Sequence, residues 1–317
     1  MKHIYVTGGC GYKGSVLVPK LLKKNYYVTV LDTQWFGNYL EAHSNLNIIK
    51  GDVRDINNID LNDVDTVIHL SSVANDPCGD LNPRLTWEIS ALATMQLAEK
   101  ASKEKVAQFI YASSGSVYGV SDKKDVTEEV DLNPISEYNK TKMVSERVLL
   151  SYADKMSIQI VRPATVCGYS PRMRLDISVN ALTMSALEDS KIYVHGGTQI
   201  RPNIHIDDIT DLYLFLIEQG TQLKGIFNAG FENLSILETA SKVSNTINSE
   251  IEVEDSIDPR SYRINSDKLL STGFKPKKTV VDAIKEMKSM YEEGKLKNDS
   301  IFHNLKWMQK NPKIIKD

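Results

Sequence analysis

The stretch Ile4-Tyr5-Val6-Thr7-Gly8-Gly9-Cys10-Gly11-Tyr12-Lys13-Gly14-Ser15 decides the fold. Its first four residues are a short strand-like run, and an amphipathic helical pattern follows over residues 15–24. Glycines at 8, 11 and 14 fall between the two. A chain passing from strand to helix over so short a loop must turn sharply. Glycine permits that turn, and without Cβ atoms in the way an anion can reach the helix N-terminus. Any tight strand-to-helix turn favours glycine, so the pattern gains weight only from its surroundings.

Moving outward, five more short apolar runs read as strands, at residues 27–31, 46–49, 66–70, 108–112 and 158–161. Long helical patterns cover about 83–104 and 136–156. Nearly continuous apolar strands separated by helices indicate a parallel sheet covered on both faces. The expected fold class is therefore α/β, a doubly wound parallel (Rossmann) sheet whose ligands bind at the carboxyl ends of the strands. The second strand ends at Leu31-Asp32. A carboxylate about twenty residues after the glycine loop accepts hydrogen bonds from the ribose hydroxyls of a dinucleotide. Its charge would repel a 2′-phosphate, which favours NAD over NADP.

After residue 168 the rhythm changes. Helical patterns at 176–188, 207–219 and 279–293 outnumber strands, and Ser235-Ile236-Leu237-Glu238 is a capping box opening another helix. This is the pattern of a smaller α+β lobe interleaved with the sheet. The expected division assigns 1–168 and 202–229 to the cofactor-binding domain and 169–201 and 230–317 to the substrate lobe. The tail carries Phe302 and Trp307 among lysines and reads as a surface helix docked by its aromatics.

Composition narrows the partners. The 317 residues hold 38 Lys+Arg and 41 Asp+Glu, a net charge of −3, so no global field attracts nucleic acid. Three scattered cysteines and six histidines without ligand spacing argue against a disulfide scaffold and a structural metal site. No apolar run approaches the ~20 residues of a membrane span, and no leader pattern precedes Ile4. The expectation is a soluble, cytoplasmic protein.

The fifth strand runs into Ser113-Ser114-Gly115-Ser116-Val117-Tyr118-Gly119, and Tyr138-Asn139-Lys140-Thr141-Lys142 follows on a helical pattern. Residues 138 and 142 share a helix face one turn apart. A phenol with a reference pKa of ~10 is a poor base at neutral pH, and a nearby ammonium favours its phenolate. Tyr138 is thereby the candidate base for a substrate hydroxyl, with Ser114 holding the same oxygen. A second copy of the spacing, Tyr291 to Lys295, lacks a glycine loop or serine-bearing strand end in register and reads as a solvated helix face.

These motifs resemble the extended short-chain dehydrogenase/reductases of the NAD-dependent epimerase/dehydratase family, which act mainly on nucleotide sugars. The resemblance rests on residues 7–15, Gly51-Asp52-Val53-Arg54-Asp55, Ile68-His69-Leu70, residues 113–119, the Tyr138/Lys142 pair and Val161-Arg162-Pro163. It implies that Gly8, Gly11, Tyr12, Lys13, Gly14, Asp32, Asp52, Val53, Leu70, Tyr138 and Lys142 surround NAD. It also implies that Ser114, Ser116, Asn180, Arg201 and Arg260 meet a nucleotide-diphosphate sugar, since guanidinium forks suit a diphosphate. Arg172 and Arg174 lie near the expected path of that substrate, Arg172 reading equally well as half of a surface ion pair. Homodimers packed through the helices at 83–104 and 136–156 are a further implication.

Relatives that dehydrate the sugar carry an acidic pair after the strand-five hydroxyl residue. Here those positions are Gly115 and Ser116, so dehydration is disfavoured. A 4-epimerase working by transient oxidation at C4 is the leading expectation. The alternatives are a net 4-dehydrogenase or ketoreductase on an activated hexose or heptose, or a non-catalytic NAD-binding regulator. Ser71-Ser72-Val73-Ala74-Asn75-Asp76-Pro77 replaces the small, alanine-rich segment usual after strand four.

Overall fold

A computed structural model describes residues 1–120, 123, 125–255 and 261–315. The chain forms strands β1 (His3–Thr7), β2 (Tyr27–Asp32), β3 (Leu46–Lys50), β4 (Thr66–His69), β5 (Gln108–Ala112) and β6 (Ser157–Pro163). With β10 (Gly225–Ala229) they make one parallel sheet in the order β3-β2-β1-β4-β5-β6-β10. Every residue of β5 and β6 is buried, as expected of strands covered on both faces. Two small sheets lie outside it. One joins β7 (Thr165–Cys167), β9 (Ile200–His205) and β11 (Glu232–Ser235), and the other β8 (Lys191–His195) and β12 (Glu250–Glu254). The fold is the doubly wound α/β architecture read from the sequence.

The helices are α1 (Gly14–Lys23), α2 (Asp76–Leu81), α3 (Pro83–Trp87), α4 (Ala93–Lys103), α5 (Glu137–Leu150) and α6 (Ser178–Asp189). They continue with α7 (Ile206–Gln219), α8 (Ile236–Ile247), α9 (Asp267–Ser271), α10 (Val280–Glu292) and α11 (Asn304–Lys310). The pattern over 83–104 is realised as α3 and α4 joined by a wide π turn at Glu88–Leu92. The helix expected to reach residue 156 stops at Leu150, where the Ser151 hydroxyl donates to the Val148 carbonyl. The capping box forms as read, Ser235 and Glu238 each satisfying the other's backbone N–H.

Two apolar clusters cover the faces of the main sheet, and a third packs α6, α8 and α10 against the smaller sheets. Met308 of α11 belongs to the cluster containing Tyr5, Val67 and Phe109, so this helix, which packs against α2, closes onto the apolar layer on that face of the main sheet. Between α5 and β6 the packing encloses an ion pair. The Arg162 guanidinium meets Glu146 at 2.6 Å, both side chains being almost fully buried. Glu146 also accepts from the Ser113 hydroxyl, and Arg162 donates to Tyr118, whose hydroxyl donates to Asn228 of β10. One network thus pins α5, the end of β5, β6 and β10 together. Removing one member leaves the other buried without its counter-charge. Arg162→Met is therefore expected to lower unfolding free energy by about 3–5 kcal/mol in urea titrations; a loss within experimental error would show that the pair holds nothing.

Candidate active site

The carboxyl ends of the main sheet open on a cavity of about 860 Å³. It sits where the sheet order reverses between β1 and β4, the switch point at which such sheets bind ligands. Gly8 turns the chain there with φ at +72°, and a Cβ on it would stand 2.7 Å from the Ser71 amide nitrogen. A Cβ on Gly14 would collide with the backbone of Gly9. The loop is therefore closed against β4 and exposes the start of α1. Gly8, Gly11, Tyr12, Lys13 and Gly14 all line the cavity, as do Asp32, Asp52, Val53 and Leu70.

Asp32 is fixed by two backbone donors, the Cys10 N–H at 3.0 Å and the Gln34 N–H at 2.7 Å. Burial raises its pKa, while those N–H groups and the nearby Arg172 work against the rise. Asp52 is engaged by Arg54, which also reaches Glu88. Lys13 is the residue before α1 and has its ammonium pushed down to about 8 by burial and then by Arg174.

Ser114, Tyr138 and Lys142 line the same cavity. Ser114 caps a short 3₁₀ turn at Gly115–Tyr118, and its hydroxyl lies 2.6 Å from that of Ser116, which donates to Asn139. Tyr138 and Lys142 ride on α5, capped by Ser136. The Lys142 ammonium donates to the Ala112 carbonyl at 2.8 Å and stands 5.7 Å from the Tyr138 ring centre. The expected depression of the phenol is not a property of the protein alone. Burial pushes Tyr138 up to about 12, Asp76 adds to the rise, and a hydrogen bond with Ser114 opposes it. Lys142 is held well below the usual lysine range, by burial first and then by Lys13, with Glu146 opposing. Two buried groups both driven toward neutrality need further charge in the cavity before the phenolate is favoured.

On the substrate side, Ser116 and Arg201 line the cavity, and Arg260 lies outside the described residues. Asn180 does not reach it. Its amide is fully buried, donating to the Tyr12 hydroxyl and the Arg174 carbonyl and accepting from the Gly168 N–H. Arg172 is not half of a surface ion pair, for its side chain is buried. Arg174 lines the cavity in a bidentate pair with Asp176. Asn75 and Asp76 belong to the stretch after strand four that the sequence marks as a departure, whereas Trp35, Phe36 and Asn304 were not foreseen from it. Asn75 and Asp76 open α2, Asp76 accepts from the Ser136 hydroxyl, and Gly79 lets this short helix lie against Tyr138. Trp35, Phe36 and Asn304 form the wall beyond Asp32.

The sequence matches the profile of the NAD dependent epimerase/dehydratase family over residues 4–230. The chain belongs to that family. The UDP-glucose 4-epimerase of Lactobacillus helveticus is 26% identical to it over 99% of either chain. The dTDP-D-glucose 4,6-dehydratase of Bos taurus is also 26% identical, over 98% of this chain and 92% of its own. The structure of the UDP-glucuronic acid 4-epimerase of Bacillus cereus, bound to UDP-glucuronic acid and NAD, superposes with a TM-score of 0.79 at 27% identity. That match covers 92% of this chain and 99% of the other.

This family member is an NAD-dependent enzyme of the extended short-chain dehydrogenase/reductase type. Its residues fit the cofactor: a glycine cradle that a Cβ would fill, a carboxylate at the end of β2, and a lysine beside the candidate base. Among the described residues no three His, Cys, Asp or Glu side chains are arranged to hold a metal ion, and no helix is long and apolar enough to cross a membrane.

Two measurements test this arrangement. Asp32→Ala should weaken NAD binding far more than NADP binding in calorimetric titrations, and equal losses would contradict the role of the carboxylate. The phenolate absorbance difference between the cofactor-free protein and its Tyr138→Phe variant should show no step near the reference pH of ~10. That step is expected near pH 12 and lower once NAD is added; a cofactor-free step at or below the reference value would refute the burial argument.

Proposed function

We propose that the enzyme is a nucleotide-sugar 4-epimerase acting by transient oxidation at C4 of the sugar. The observation that carries this reading is one cavity holding Ser114, Tyr138 and Lys142 with the glycine loop, while Gly115 and Ser116 offer no acid pair. Bound NAD supplies the hydride acceptor and donor. Tyr138 takes the proton of the C4 hydroxyl, and Ser114 holds the same oxygen. Arg201 and Arg260 grip the diphosphate of the substrate, leaving the sugar end free to turn so that hydride returns to the other face of the 4-keto carbon. Tyr138 then gives its proton back.

The raised phenol and depressed ammonium are consistent with such a cycle. Lys13 disfavours the charge on Lys142 in the protein alone. A phosphate facing Lys13 offsets that repulsion, so Lys142 charges more readily and draws the phenol down. Base activity is then switched on by ligand. The division of labour follows the proposed domains, with 1–168 and 202–229 serving the cofactor and 169–201 and 230–317 the sugar nucleotide. We also propose a homodimer packed through the helical stretches 83–104 and 136–156, where Leu92 and Met95 are 45% and 41% exposed. The chemistry is small-molecule chemistry in the cytoplasm, with no nucleic acid or membrane partner.

Incubating the enzyme and NAD with UDP-, GDP-, dTDP- and CDP-sugars, while following NADH absorbance and the sugar product, tests the reading. Epimers without net NADH are expected. Stoichiometric NADH would replace the epimerase with a dehydrogenase, and tight NAD binding without turnover of any sugar would leave a regulator. Tyr138→Phe should remove about 10²-fold or more of turnover; unchanged turnover would sink the proposed base.

A further inference from the structure

The loop after β7 is strapped over the glycine loop. The Tyr12 hydroxyl donates to the Gly168 carbonyl at 2.7 Å, and the Ser170 hydroxyl donates to the Tyr12 carbonyl at 2.8 Å and touches that of Ser15 at 2.9 Å. Two residues further on, this strap delivers Arg172 into the wall of the cavity. The side chain is 2% exposed, and its guanidinium stands 4.1 Å from the centre of the Phe36 ring. It donates to the Met173 carbonyl and, at 2.6 Å, to Asn304 of α11, while Nε has no partner.

Among the described residues no carboxylate forms an ion pair with it. Asp176, and after it Asp32, act on it only as more distant charges; Asp176 is taken up by Arg174, and Asp32 is held by backbone N–H groups. A buried cation without a counter-ion is costly in the protein alone, and burial followed by repulsion from Arg174 pushes Arg172 down to about 10. Such a cation in the wall of a cavity beside the glycine loop, with one N–H left without a partner, matches an anion in that cavity. The one anionic group that every NAD molecule brings there is its pyrophosphate.

We propose that Arg172 is the counter-charge for the pyrophosphate of NAD and that α11, by holding this guanidinium through Asn304, is part of the cofactor site. Helix α11 is placed for the task. Trp307 donates from its indole to the Trp35 carbonyl at 2.9 Å, and Phe302 lies 6.2 Å from the ring of Tyr39, so this segment backs the loop after β2. The helix that the sequence presents as a docked surface element thus supplies a wall and an orienting amide.

The test is calorimetric titration of the full chain with NAD, ADP and adenosine, alongside thermal midpoints without ligand. Arg172→Met should lose about tenfold or more in affinity for NAD and ADP alike, as expected for a charge-assisted pair. Adenosine, which has no phosphate, should bind as to the wild type. The unliganded midpoint should hold or rise, because an uncompensated buried cation is gone. Asn304→Ala should show a smaller loss in the same direction. Unchanged NAD and ADP affinity would make the guanidinium purely structural and overturn the proposal. So would an equal loss for adenosine, which would place it on the ribose or base, or a loss confined to NADP, which would place it on a 2′-phosphate. Should Arg172→Met fail to fold, Arg172→Gln removes the charge and keeps a hydrogen-bonding amide for Asn304. A fall in NAD and ADP affinity with adenosine unchanged is then expected, and wild-type affinity for all three overturns the proposal.

Discussion

The buried pair of Glu146 and Arg162 is the constraint on which the rest of the site depends. It lies one helical turn beyond Lys142 on α5 and directly behind Ser113, the neighbour of Ser114. The helix carrying Tyr138 and Lys142 and the strand end carrying Ser114 are therefore referred to the same two buried side chains. An apolar contact would hold them together but allow sliding. Directional bonds to Ser113, Tyr118 and Asn228 fix rotation and register as well. The pair also reaches the chemistry electrically, since Glu146 supports the charge on Lys142.

The cavity gathers buried cations although the whole chain carries −3. Lys13, Lys142, Arg172 and Arg174 all line it, and among the described residues Arg174 alone of these four pairs with a carboxylate, Asp176. Burial works against the charge on each of the four. Groups placed at such a cost in solvation respond strongly to an arriving phosphate, because the same low dielectric that penalises them alone amplifies each new attraction. Ligand charge and protein charge are complementary here in a way that bulk composition conceals.

Much of this was legible in the sequence because it is local. The glycine spacing, Asp32 after the second strand, the Tyr138/Lys142 turn and the Ser235 capping box each involve a few consecutive residues, whose chemistry leaves few alternatives. What the sequence hid is what folding brings from afar. Asn180 has the residue type of a ligand, yet its amide is occupied by Tyr12 and residues of its own loop. Arg172 has the look of a surface cation, and only tertiary packing puts it under Phe36. Helix α2 is too short to show a period, so the approach of Asp76 to Tyr138 had no pattern to announce it. The phenol's upward shift was hidden for the same reason, since burial is not written in spacing.

The strap over the glycine loop has a consequence for how the protein folds. It joins Tyr12 to a partner 156 positions away, and the α11 wall beside it joins Trp307 to one 272 positions away. Closing loops of that length is entropically costly and is repaid only when most intervening structure already exists. The glycine turn can form early from its own neighbours, but the cover that makes it a binding site must come late. A ligand that recognises only the covered form stabilises the finished fold alone, by mass action, and leaves earlier stages without its help.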